Sequence, residues 1–372
     1  MGLRVLMQNR PDSFEFPGGD TVQMLETKRQ LENLGVEVSV DLSESPDVSA
    51  YDVVHVFNTL SMPSSYYQVM NAKSQGKPVT LSTIFWDVGA LEKNKRAWRT
   101  TFKEGINALL RTFTGREIVA RDCFERQVVY YQQQEAALLA SDCLLPNART
   151  ELEQIRRAFP RVRNKAHIVP NGVDPNITLG DAERFRRQYG IYEEFVLCVA
   201  NVSPRKNQLR LVKACRMCGY LVVLVGGCLD WNRQYLDSCL KAGRDRVCYL
   251  GPMSHDAVAD AFAACRVHAL PSSVETPGLA TLEAVACGKN VVVCDRGSVR
   301  EYLEEEAFYC DYYSIDSIAC ALSQAWRAEP PVQLTSRVLE KYTWRRAAEE
   351  TLKAYQLVAS RIQSSSETLG TL

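Results

Sequence analysis

Glu275 and Glu283 stand eight positions apart in Pro271-Ser-Ser-Val-Glu-Thr-Pro-Gly-Leu-Ala-Thr-Leu-Glu-Ala-Val-Ala-Cys-Gly288. The stretch reads as the end of a buried strand (Val267–Leu270), a polar turn, and a helix over 276–287. Thr276 at the N-cap and Pro277 at the first helical position give a start signal, and Gly288 gives the stop. At about 100° per residue, Leu279, Leu282, Glu283 and Ala286 share one face, which sets a carboxylate in an apolar stripe. Burying that charge unpaired costs several kcal/mol or raises its pKa. Glu283 therefore needs a hydrogen-bond donor, and a ribose diol would supply one. The plainer reading, an acid favoured near a helix N-terminus, predicts a solvent-facing side chain instead.

A second group is Arg205 and Lys206 in Asn201-Val-Ser-Pro-Arg-Lys-Asn207. They follow a strand at Phe195–Ala200 and precede a helical pattern from Asn207. Cations beside helix starts suit a departing diphosphate. An exposed basic turn is the ordinary alternative, and the position directly after a buried strand favours function. Asp87 ends Ser82-Thr-Ile-Phe-Trp-Asp and is a candidate for a sugar or acceptor hydroxyl. His55 lies on an apolar strand whose end is read as facing a cleft, although a lone strand histidine is more often a satisfied core residue.

These groups need a scaffold of alternating strands and helices. In the first half, strands are expected at Arg4–Met7, Val36–Val40, Val53–Phe57, Pro78–Ser82 and Cys143–Pro146, with helices at Thr21–Leu34, Ser64–Ser74 and Thr150–Ala158. In the second half, strands are expected at Phe195–Ala200, Tyr220–Val225, Val247–Leu250, Val267–Leu270, Asn290–Cys294 and Ala307–Tyr309. Between them lie helices at Asn207–Met217, Trp231–Lys241, Asp256–Ala264 and 276–287. Such alternation implies parallel, helix-covered sheets. The expected fold class is α/β, with two doubly wound, Rossmann-like domains facing a cleft, at 1–178 and 179–341. A final helix at 342–362 and a loose tail at 363–372 follow.

The segment 91–134 stands apart. Between Leu91 and Tyr130 it carries nine Lys or Arg against five acids, and Trp98, Phe102, Ile106, Leu109, Leu110 and Phe113 recur at helical spacing. It reads first as a helical insertion packed on the N-terminal domain. A second reading is peripheral contact with an anionic membrane.

Composition excludes several classes. At 372 residues the chain is long enough for two full cores. Its 44 basic and 44 acidic residues cancel, which argues against a nucleic-acid binder. No apolar run reaches the length of a membrane span. The opening Met-Gly-Leu-Arg-Val-Leu-Met enters a strand directly, so no signal peptide is expected. The 13 cysteines are scattered, as suits reduced, buried thiols in a cytoplasmic protein.

Taken in order along the chain, several motifs resemble the retaining GT-B glycosyltransferases of family 4. Gly18-Gly19-Asp-Thr-Val-Gln-Met resembles the glycine loop opening their first helix. Ala140-Ser-Asp-Cys-Leu-Leu-Pro-Asn-Ala-Arg-Thr-Glu151 resembles their last N-domain strand and its helix, and Pro170-Asn-Gly-Val-Asp174 the hinge-side motif. Glu275 and Glu283 match the two acids of the Glu-x7-Glu signature, and Lys206 the phosphate-binding lysine.

The resemblance implies a nucleoside diphosphate sugar as donor, a glycan or lipid-linked acceptor, no cofactor, and retention of configuration. It implies Glu275 near the transferred sugar, Glu283 on the ribose, and the backbone of Thr276, Pro277, Gly278, Leu279 and Ala280 near sugar and phosphates. Its last helix is expected to pack back on the first domain.

Two positions depart from the pattern. Asn201 stands where the family often has arginine, a charge Arg205 would supply. The usual N-domain histidine before Asp87 is missing. No Asp-x-Asp pair occurs in the chain, which agrees with metal-independent chemistry using Lys206 and Arg205. Two other readings stay open: a nucleotide-sugar epimerase of the same architecture, and a catalytically degenerate binding subunit.

Overall fold

The computed structural model describes residues 2–86 and 116–369. Asp87 and the 91–115 part of the expected insertion lie outside the described residues. The chain forms two compact units, Met1–Val169 with Ala348–Leu372, and Pro170–Ala347.

The first unit runs β1 (Arg4–Gln8), α1 (Gly19–Asn33), β2 (Glu37–Val40), β3 (Val53–Phe57), α2 (Ser64–Ser74), β4 (Val79–Ser82), α3 (Arg116–Ala140), β5 (Cys143–Leu145) and α4 (Arg149–Ala158). Its five strands are parallel in the order β2-β1-β3-β4-β5. A parallel sheet covered on both faces needs strands that are apolar throughout, and β3 and β4 are buried along their whole length. Leu6, Val54, Val56, Leu81 and Leu144 meet Ile155 and Leu138 from the helices in one core. Each such fully buried side chain contributes about 1.5–3 kcal/mol.

The second unit runs α5 (Ala182–Tyr189), β6 (Phe195–Val199), α6 (Gln208–Cys218), β7 (Leu221–Val225), α7 (Arg233–Gly243), β8 (Val247–Gly251), α8 (His255–Ala264), β9 (Val267–Leu270), α9 (Leu279–Ala286), β10 (Asn290–Cys294), α10 (Val299–Leu303), β11 (Phe308–Cys310), α11 (Ile315–Arg327) and α12 (Val332–Lys341). Its six strands are parallel in the order β11-β10-β9-β6-β7-β8. Every expected strand forms within one residue at either end.

Three boundaries differ from expectation. Residues 170–178 fall in the second unit, whereas the sequence pattern sets the boundary at 178/179. Val173 pairs with Thr343, and a Cβ at Gly172 would stand 2.2 Å from the Thr343 backbone. The helix after Glu275 starts at Leu279, not at Thr276–Pro277. Its N-cap is Gly278 with φ +90° and ψ 96°, a conformation that favours glycine and lies off the helical path, so Thr276 and Pro277 stay in the loop. The last helix, α13 (Trp344–Leu369), continues past the expected stop near Arg361, because no Gly or Pro interrupts it before Gly370. From Ala348 onward it belongs to the first unit, where Tyr355 and Val358 are buried.

Candidate active site

In the second sheet β6 lies between β7 and β9, so strand order reverses at the β6/β9 edge. Ligands of open parallel sheets bind beyond the carboxyl ends of strands at such a switch point. The 310 turn Pro204–Lys206 follows β6, and the loop 271–278 follows β9. Backbone joins the two loops: Ser273 N–H donates to Arg205 O at 2.8 Å.

Side chains complete the connection. Lys206 Nζ lies 2.5 Å from Glu275 Oε1, and Arg205 Nη1 lies 3.9 Å from the same oxygen. Arg205 Nη1 also donates to Val274 O at 3.2 Å. The Glu275 and Lys206 side chains are 10% and 15% exposed, so the pair is largely desolvated yet open at one edge. Burial alone would raise the Glu275 carboxyl, but Lys206, Arg205 and Ser272 outweigh it and hold it below the usual range. Burial also lowers the Lys206 ammonium, against the pull of Glu275.

The loop carrying Glu275 is held from two sides. Glu275 pairs with Gly297 across an isolated parallel bridge. Asn171 Nδ2 donates to Thr276 O at 3.2 Å, and Tyr302 Oη receives Asn171 N–H at 3.0 Å. Thr276, Pro277 and Gly278 are buried, while Leu279 and Ala280 are half-buried. The Leu279 and Ala280 amides, in the first turn of α9, have no intrahelical acceptor. They can meet an anion or a hydroxyl.

Glu283 is not sealed in the apolar face. The buried residues of α9 are Thr281, Leu282, Ala284, Val285 and Ala286, whereas the Glu283 side chain is 17% exposed and stands 3.7 Å from His255 Nε2. Only a helix packed against its core along the Glu283 side would seal that carboxylate in the apolar stripe. The later start and the neighbouring end of α8 leave that side partly open, so the burial cost does not by itself demand a ligand there.

In the first unit, Gly18 caps α1 and Gly19 opens it. A Cβ on Gly18 would stand 2.6 Å from Asp20 Oδ1. Asp20 Oδ2 receives Arg10 Nε and Asn58 Nδ2, each at 3.0 Å. Arg10 is further engaged by Asp12 at 2.6 Å and by Phe16 O. The glycine loop is thus fastened by the chain's own ion pair.

His55 does not face an open site. It is fully buried in the middle of β3, with Nδ1 2.7 Å from Tyr355 Oη and Nε2 2.9 Å from Ser82 Oγ. Burial pushes its pKa down to about 3. Both ring nitrogens are satisfied, which is the core reading.

Several residues escaped sequence reasoning. Glu151 is fully buried and accepts from Thr83 Oγ1, from Phe85 N–H at 2.8 Å and from Asn147 N–H at 2.8 Å. His268 on β9 lies 3.5 Å from Thr281 Oγ1. Burial, with Lys206 nearby, pushes its pKa down to about 3. Gly297 admits the Glu275 carbonyl where a Cβ would stand 2.0 Å away. A Gly three residues past the end of an apolar strand was the available signal for that last contact.

Among the described residues, no three His, Cys, Asp or Glu side chains gather as a metal site, and no helix is long and apolar enough to cross a membrane. The structure therefore brings Arg205, Lys206, Glu275 and Gly278 together in the second unit, with Glu283 one helix face along. Gly18 and Gly19 lie in the first unit.

Two parallel-sheet Rossmann-like domains, the second with Lys, Arg and Glu at its switch point, define the GT-B class. Residues 181–339 match the family described as glycosyl transferases group 1. The chain is 28% identical over 226 residues to an uncharacterized glycosyltransferase of Methanocaldococcus jannaschii, covering 55% of this chain and 57% of that protein. It is 28% identical over 326 residues to a D-inositol 3-phosphate glycosyltransferase of Mycobacteroides abscessus, covering 76% and 70%. Its fold is similar to that of sucrose-phosphate synthase from Thermosynechococcus elongatus, with TM-score 0.76, 15% identity, and 96% and 100% of the chains covered. The Anabaena HepE protein in complex with UDP and glucose is also similar, with TM-score 0.63, 17% identity and full coverage of both chains.

Proposed function

We propose that this protein moves a hexose from a nucleoside diphosphate sugar to a hydroxyl of a glycan, lipid-linked or protein-linked acceptor, with retention and without a metal ion. The observation that carries the reading is the Lys206–Glu275 ion pair, with Arg205 beside it, at the switch point of the second sheet. Such a pair can open on binding. An incoming diphosphate competes for Lys206 and Arg205, and the released Glu275 carboxylate accepts from a sugar hydroxyl.

As the glycosidic bond breaks, negative charge grows on the departing diphosphate. Preorganised cations and the Leu279 and Ala280 amides then gain more in the transition state than in the ground state. Glu283, partly exposed beside α8, is placed to accept from the ribose diol. Retention rests on the resemblance to family 4.

The solved neighbour holding UDP and glucose and the relatives named for D-inositol 3-phosphate make UDP-glucose with an inositol phosphate the first pair to try. Thermal-shift screening against UDP, GDP, ADP and TDP sugars identifies the donor, because a ligand of the native state raises stability. Turnover with that donor in excess EDTA is expected to persist, and NMR of the product to show the donor's anomeric configuration. Loss of activity in EDTA that Mn²⁺ or Mg²⁺ restores would overturn the metal-free reading. An epimerised sugar formed without any acceptor would favour the epimerase.

A further inference from the structure

Arg296, at the carboxyl end of β10, is fused to the backbone of Glu275. Glu275 N–H donates to Arg296 O at 3.3 Å, and Ser298 N–H donates to Glu275 O at 2.9 Å. Gly297, with φ +82°, makes that close approach possible. A tight turn, Arg296 N–H to Cys294 O at 2.9 Å, starts the side chain beside the acid.

The guanidinium then rests on two tyrosines, with its carbon 5.1 Å from the Tyr313 ring centre and 5.6 Å from that of Tyr312. Tyr312 is buried and fixed. Its hydroxyl donates to Pro204 O at 3.2 Å, and its carbonyl accepts from Asn207 Nδ2 at 2.9 Å. The aromatic shelf under Arg296 is thereby tied to the turn that carries Arg205 and Lys206.

The charges differ in how they are used. Lys206 is engaged by Glu275 at 2.5 Å. Asn201 is neutral, and its Oδ1 receives Gly227 N–H at 3.1 Å. The Arg296 guanidinium has no carboxylate or carbonyl partner among the described residues and lies over the two rings. Stacking on aromatic faces holds the plane while leaving the N–H edge for a ligand. Tyr313 is 48% exposed, so the shelf is reachable by a small molecule. A planar fork of N–H donors on the loop whose backbone bonds to that of Glu275 is suited to an oxyanion.

We propose that Arg296, held on Tyr312 and Tyr313, is a donor-recognition residue that takes an oxyanion of the bound nucleoside diphosphate sugar in a bidentate contact next to Glu275. This rests on the donor reading above. The oxyanion belongs either to the diphosphate or to the carboxylate of an acidic sugar, and the two sources separate by ligand.

The test is calorimetric binding of UDP, UDP-glucose and UDP-glucuronate, with the guanosine series in parallel, to the full chain and to Arg296→Gln and Arg296→Lys. Arg296→Gln is expected to weaken binding about tenfold, the size of one charge-assisted contact. A loss shared by all three ligands assigns the contact to the diphosphate, and a loss confined to the glucuronate assigns it to the sugar carboxylate. Arg296→Lys keeps the charge without the fork and is expected to fall between. Binding within twofold of wild type for Arg296→Gln, while Lys206→Ala or Glu283→Gln weakens it, would overturn the assignment. Equal losses of thermal stability in both Arg296 variants at unchanged affinity would also overturn it, making Arg296 a strut of the shelf. Wild-type protein that binds none of these ligands would sink the donor reading itself, and this inference with it.

Discussion

Each unit buries a glutamate beyond the carboxyl ends of its strands, and the two acids are held in opposite ways. In the first unit Glu151 accepts from Thr83 Oγ1 and from the Phe85 and Asn147 amides. Its oxygens are bonded to the chain itself, so it fastens the loop after β4 to the start of α4. In the second unit Glu275 leans on the side chains of Lys206 and Arg205, which a ligand can compete for. Burial alone does not separate a structural acid from one poised to meet a ligand. The partners do: backbone donors cannot leave without unfolding, whereas cation side chains can turn to an incoming anion.

The largest expected effect tests that contrast directly. Glu151→Ala strands buried backbone donors and is expected to cost about 3–5 kcal/mol, read as a lower urea midpoint. Glu275→Gln is expected to cost less than half as much stability and to abolish most turnover. The reverse order of stabilities would break the comparison.

Next in size is Lys206→Ala, for which kcat is expected to fall about a hundredfold, comparable to losing one preorganised donor. The effect should fall on turnover more than on donor affinity. A folded variant with near-normal kcat would leave Lys206 as a structural partner of Glu275.

Glu283→Gln sharpens the picture within the second unit. Because that side chain is partly exposed, folding should be unaffected, while donor affinity drops by about 1–3 kcal/mol, the scale of a charged hydrogen bond. Unchanged affinity would remove Glu283 from the ribose.

The smallest effect concerns one buried histidine in each sheet. Burial pushes both His55 and His268 down to about 3 in the folded chain. Their folded values lie below an unfolded value of about 6.5, so the unfolded state binds more protons between those limits and stability falls as pH drops through that window. Each histidine contributes at most about 1.4 kcal/mol per pH unit. Replacing His55 by Gln, which can still bond to Ser82 or Tyr355, should flatten the pH dependence of the urea midpoint by one group's share. An unaltered slope would mean that His55 is accessible to protons in the folded chain.

Much of this architecture was legible in the residues. Parallel strands buried on both faces are short apolar runs, such as Val53–Phe57 and Asn290–Cys294, that hardly any other element can use. The helix stop at Gly288 was equally local, since φ +71° there favours glycine. Thr276-Pro277 misled because the same dipeptide serves a loop as well as a helix start, and the neighbouring Gly278 decided between them by leaving the helical region.

By itself, then, the sequence determined the order of strands and helices, the cations after β6 and the pair of acids after β9. These depend on periodicity and on spacing within a few residues. Tertiary structure decided which acid is held by backbone donors and which by cation side chains, that His55 is bonded by Tyr355 across 300 positions of chain, and that Gly297 carries the backbone of Arg296 to that of Glu275. Those outcomes depend on partners brought together by sheet order, and the strength of a buried charge is set by what surrounds it rather than by its neighbours along the chain.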